Sequence, residues 1–256
     1  AVELNQTGIA VLAGERASLL AIKAVMKYRD FRHRPPFEVV SNVDSERMTR
    51  WKKRLRSKTS LDESTSIALI ADYGVPGAEL EVVEDEIALL KAAKTIGYPV
   101  VLKTAMPGIT HKSDSDGIRL DLQDDKSLLN AYQDFSARLG VRVMVARQAT
   151  AGGVEMALGV VRDPLVGAMV MIGIGGTLIE LLDDKVWVPA PSNHTEVAHA
   201  IDHLKCRPVL DGMRGKPTVD VSAFVDAAVA LSILAGELMD VIAEIDINPV
   251  LVSSDG

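Results

Sequence analysis

Lys103 and His111 are the residues whose types and setting suit phosphoryl chemistry. The apolar, β-branched run 99–102 reads as a short buried strand. Lys103 falls at its end, where an ammonium projects from a rigid edge and neutralises phosphate oxygens without bidentate geometry. His111 follows in a polar loop beside Lys112, Asp114 and Asp116, between turns expected at Pro107-Gly108 and Gly117. One nitrogen of such an imidazole attacks a phosphoryl group while a carboxylate orients the other. An ordinary loop histidine has the same neighbours, and spacing alone does not separate the two.

Three further stretches bear on that chemistry. In 173–176, GIGG, the glycines Gly175 and Gly176 let main-chain N–H groups approach an anion, although a tight β-turn also favours glycine. In 244–249, EIDINP, strand alternation puts Glu244, Asp246 and Asn248 on one face with Ile245 and Ile247 behind them. Three oxygen donors on one face suit a hard cation such as Mg²⁺, and a solvated strand end would alternate in the same way. Pro249 is expected to stop the ladder. In 211–215, DGMRG, Arg214 is either a clamp for phosphate or carboxylate or a surface arginine on a turn.

The elements that must position these groups follow from periodicity. Residues 8–13 and 15–28 read as a strand and a helix, half of a βαβ unit whose parallel neighbours are missing, so partner domains are expected to cover it. Residues 31–58 lose periodicity, carry Pro35-Pro36 and a basic run from Trp51 to Lys58, and read as a solvated linker. Ser60 and Glu63 have capping-box spacing, which predicts a helix to Tyr73. Strands are expected at 78–83, 118–122 and 141–146, and helices at 84–96 and 126–139. From 154 onward, 154–161, 168–172, 177–182 and 185–189 read as a sheet of hairpins. Helices at 195–204 and 222–239 and a strand at 241–247 complete an α/β architecture of two α+β lobes with a cleft between them.

Composition bounds the function. A chain of 256 residues with 48% apolar and 25% charged residues is ordinary for a globular protein. The net charge of −7, spread along the chain, argues against nucleic acid as a partner. One cysteine, Cys206, excludes an internal disulfide and fits a reducing compartment. Signal-peptide and membrane-spanning patterns are not read in the sequence, so a cytoplasmic location is expected.

Together, GYPVVLK (97–103), HKSD (111–114), GVEMALGVVRDP (153–164), GIGG with Glu180, DGMRG (211–215) and EIDINPV (244–250) resemble the ATP-grasp part of the NDP-forming acyl-CoA synthetases, which include ADP-forming acetate–CoA ligase. The resemblance covers 61–256, with lobes at about 61–150 and 151–256; residues 1–34 look like the end of a flavodoxin-like ligase domain, and 35–60 a linker. It implies the reaction of a carboxylic acid, CoA and ATP to acyl-CoA, ADP and phosphate, through an acyl phosphate and phosphohistidines. By that resemblance His111 is a phosphoryl carrier, Lys103 binds phosphate, Arg147 and Thr150 lie on the hinge that holds adenine, Glu155 contacts nucleotide, and Asn248 binds Mg²⁺ beside Asp246 and Glu244. It also implies ligase and CoA-binding domains in the same or a partner chain, and an oligomer. The chain departs from the family at Arg147, where Gln or Glu is usual, and at Asp116, which replaces a glycine. Two other readings are a different ATP-grasp carboxylate ligase, which needs no histidine carrier, and a nucleotide- or acyl-CoA-sensing module.

Overall fold

The computed structural model describes residues 6, 14–33, 43–56, 60–109, 115–149, 152–213 and 217–255. His111, Thr150, Arg214 and the strand expected at 8–13 lie outside them. The chain divides into 1–38 and 39–256. In the first unit, helix α1 (Glu15–Arg32) buries none of its side chains.

Within the second unit, two four-stranded antiparallel sheets each have their own core. The first sheet has the order β1 (Leu80–Val83), β4 (Val143–Arg147), β2 (Val100–Thr104), β3 (Ile118–Leu122). Helices α4 (Glu86–Ile96) and α5 (Asp125–Arg138) cover one face, burying Leu89, Ile96, Leu128 and Phe135 against Val100, Leu102, Val143 and Val145. Asp85 and Asp124 cap their N-termini, accepting from Ala88 N and Ser127 N. Gly97 ends α4 at φ +87°, a conformation that favours glycine.

The second sheet has the order β7 (Lys185–Pro189), β6 (Gly167–Ile174), β5 (Val154–Asp163), β8 (Glu244–Val252). Met156, Leu158, Val160, Val170 and Ile172 point to helix α9 (Val221–Leu238) and helix α7 (His194–Ile201). By length and composition α9 could cross a membrane, which the sequence reading did not see. Here Phe224, Ala228, Leu231, Leu234 and Leu238 fill the core of this lobe.

Five expectations are corrected. Residues 45–55 are helix, not linker: α2 (Ser45–Leu55) starts from an Asp44 cap and presents Met48, Trp51 and Leu55 at helical spacing to the second core. Trp51 Nε1 donates to Asp72 Oδ2 at 2.6 Å, and Lys52 pairs with Asp240 at 2.8 Å, so the basic run belongs to a packed helix. Helix α3 (Glu63–Asp72) is capped by Asp62, which accepts from Thr65 N at 2.8 Å; Glu63 is the first helical residue and closes no capping box. Leu69, Ile70, Tyr73 and Val75 also enter the second core, so the first lobe does not begin at 61. The segment Gly176–Leu178 with α6 (Ile179–Leu182) is helical rather than a strand, because Gly176 turns the chain at φ +64°. Finally, β8 continues past Pro249: the ladder breaks register at Met156/Leu158 and resumes at Val250↔Met156. A short helix, α8 (Arg207–Leu210), completes the lobe.

Candidate functional site: a cleft between the two sheets

Strand alternation decides which side chains reach the cleft. On β2 and β4, Val100, Leu102, Val143 and Val145 face the helices, so Val101, Lys103, Met144 and Ala146 face the other way. Val101, Met144 and Ala146 are buried yet belong to neither core, which makes an apolar wall beside Lys103. The Lys103 ammonium donates to Glu63 Oε1 at 2.8 Å. Both side chains line a cavity of about 1050 Å³ that extends to Glu244, Asp246 and Asn248 of β8. Glu63 is a site residue that the sequence does not announce, because Ser60-x-x-Glu63 has the spacing of a purely local capping box.

On the second sheet, Asn248 Oδ1 accepts from Gly176 N at 2.7 Å, and Gly175 N donates to Glu155 O at 2.8 Å. The two N–H groups expected to cradle an anion are therefore engaged within the protein. The glycines are required by close approach instead. A Cβ at Gly175 would lie 2.3 Å from Met156 O, and one at Gly176 would lie 1.8 Å from Glu155 Oε2. The corner at 175–176 thus gathers the Glu155 carboxylate and the Asn248 carboxamide around one peptide. Asn248 Oδ1 keeps a second lone pair, and the two oxygens fit a hard cation.

The third part of the expected metal set does not converge. Glu244, Asp246 and Asn248 do share a face, with Ile245 and Ile247 packed against the core. Glu244 and Asn248 are four strand residues apart, roughly 13 Å, whereas a Mg²⁺ ion holds its ligands at about 2 Å. Fully extended, the two side chains and two such contacts barely span that distance, so a compact site takes Asn248 without Glu244. Among the described residues no three His, Cys, Asp or Glu side chains form a metal cluster.

Arg147 is not brought to the cleft. It follows Val143 and Val145 on the helix-covered face, and its guanidinium holds Glu79 Oε2 at 2.6 and 2.9 Å. Arg147 N also donates to Glu79 O at 2.9 Å. Asp116 does not add negative charge to the cleft as a bare carboxylate. It sits at φ +50°, and Arg119 binds both its oxygens at 2.7 and 2.8 Å, which holds its pKa below the usual carboxylate range.

Two sheet-bearing lobes, a strand lysine in the cleft between them and an oxygen-donor pair opposite are the features of an ATP-grasp module. A family model described as an ATP-grasp domain matches residues 52–256, and the chain belongs to that family. The relatives aligned with the chain include ADP-forming acyl-CoA synthetases. The β subunit of ADP-forming acetate–CoA ligase I from Pyrococcus furiosus is 33% identical over 190 residues, which is 72% of this chain and 82% of that subunit. The β subunit of ligase II from the same organism is 30% identical over 209 residues, covering 78% of this chain and 88% of the subunit. The ADP-forming 4-hydroxybutyrate–CoA ligase of Nitrosopumilus maritimus is 28% identical over 93% of this chain but only 36% of its own length. The chain therefore spans most of the separate subunits and about a third of that longer ligase. Among solved structures, the dinucleotide-forming acetyl-coenzyme A synthetase 1 of Candidatus Korarchaeum cryptofilum, in complex with coenzyme A and Mg-AMPPCP, is 31% identical with a TM-score of 0.70. That match covers 82% of this chain and 94% of the other.

Proposed function

We propose that this chain is the nucleotide-binding part of an ADP-forming acyl-CoA synthetase, acting with ligase and CoA-binding domains on a small carboxylic acid, CoA and ATP. The observation that carries the reading is the meeting in one cleft of Lys103 from the first lobe and Asn248 from the second, with Glu155 beside Asn248. Lys103 neutralises the polyphosphate as a point charge. Asn248 and Glu155 hold Mg²⁺, which when bound neutralises phosphate oxygens. The apolar wall of Val101, Met144 and Ala146 accepts the purine, and main-chain groups of 145–150, including Thr150, contact its edge; the Arg147 side chain takes no part. His111 is the carrier. An imidazole nitrogen forms a bond to the γ-phosphorus as the bond to the bridging oxygen of ADP breaks, and the phosphoryl group then passes on to the ligase domain. The Korarchaeum structure with Mg-AMPPCP has a phosphohistidine segment pointing towards its nucleotide-binding site, which supports this role.

The test is incubation of the complete protein with γ-labelled ATP and Mg²⁺. Base-stable, acid-labile label should appear at His111 and vanish in His111→Ala, while nucleotide affinity stays within about twofold. Nucleotide binding with no label at any histidine would favour the sensing module.

A further inference from the structure

Helix α3 is packed into the second core through Leu69 and Ile70, whereas Lys103 stands on β2 of the first sheet. The ion pair between Glu63 and Lys103, 2.8 Å long, thus joins the two lobes in the wall of the cavity. Both side chains are about a third exposed, at 33% and 30%, so a ligand can reach them. Glu63 also stands at the first position of α3, where the helix dipole favours its charge and holds it in place.

We propose that Glu63 is a resident counter-anion of Lys103, a positioning residue that keeps the ammonium aimed into the cleft and competes with the ligand's phosphate for it. The inference rests on the nucleotide reading of the cleft. The ammonium has three donors and can be shared, but a carboxylate held next to it repels an arriving phosphate. The repulsion grows with ligand charge, so Glu63 lowers affinity for a triphosphate more than for a diphosphate. In a partly solvated site such a term is modest, which makes it a setting of affinity and not a block on binding.

Glu63→Gln keeps the shape and the acceptor oxygen and removes the charge. By isothermal titration at low salt, the Gln variant should bind MgATP about two- to fivefold tighter than the unmodified chain, with a smaller gain for MgADP. In a Lys103→Ala background the same substitution should give a clearly smaller gain, because only the direct repulsion between carboxylate and phosphate is then relieved. Unchanged or weaker MgATP binding by Glu63→Gln, or an equal gain without Lys103, overturns the proposal. Inorganic tripolyphosphate separates this inference from the nucleotide reading. If neither nucleotide binds any variant, that reading falls; tighter tripolyphosphate binding by Glu63→Gln then sustains the competition, and unchanged or absent binding overturns it too.

Discussion

Gly176 joins the two oxygen donors of the second lobe, and it is the residue at which local geometry and site chemistry are least separable. Its φ of +64° disfavours any side chain, and a Cβ would collide with Glu155. Gly176→Ala should therefore cost about 1–2 kcal/mol of stability and displace the Glu155 carboxylate, lowering MgATP affinity by roughly tenfold, the scale of one lost charge-assisted contact. Differential scanning calorimetry and titration on the same sample would check both. Normal affinity in a stable Gly176→Ala protein would remove Glu155 from the site. The strand that carries Lys103 was legible from its β-branched run, although β2 continues through Lys103 to Thr104 and does not end there. Glu63 was not legible, because its partner lies 40 positions away and a nearer pattern explained it. Asp116 shows the same limit: the sequence shows only its departure from glycine, and the fold reveals that Arg119 binds it.

At the scale of elements, strands and helices with clean periodicity were legible, and errors fell where charge or proline obscured the pattern. Helix α2 has three apolar side chains among eleven residues, and Arg and Lys dominate the rest, so its buried stripe was hidden. Its contribution is large nonetheless. Trp51 is 5% exposed and its Nε1 satisfies Asp72, so Trp51→Ala should destabilise by about 3–5 kcal/mol in urea unfolding. A loss below about 1 kcal/mol would return this stretch to the status of a linker. Beside it, Arg47 stacks on the Tyr73 ring at 3.9 Å and shares Glu237 with the Tyr73 hydroxyl, which donates to it at 2.8 Å; burial and then the Glu237 carboxylate raise the phenol pKa. Strand β8 was cut short because proline cannot donate to a ladder, but a register break absorbs Pro249 and pairing resumes beyond it.

At the scale of the molecule, the two cores share no buried side chain among the described residues, and the cleft lies where one lobe meets the other. A ligand that touches both should stabilise the assembly. At about 100 times its dissociation constant MgATP adds about 2.7 kcal/mol, which for a chain of this size raises Tm by roughly 5–10 °C. A shift of that size should be lost in Lys103→Ala at the same MgATP concentration. The two-lobe plan was legible from the change in texture at residue 154, but not which lobe owns the N-terminal helices, since that depends on packing between distant segments.

The pairing of Arg147 with Glu79 has one more consequence. Because α2 and α3 belong to the second core, the chain leaves that lobe once before β1 and returns once after β4, and the two crossings lie side by side, joined by a main-chain hydrogen bond and by the guanidinium clasp. The first lobe is therefore a cassette inserted into the second. Its two connections stand together at one edge, like the hinge side of a door. Residues 79–147 can be exchanged for the same span of a relative without cutting through the core that carries Asn248.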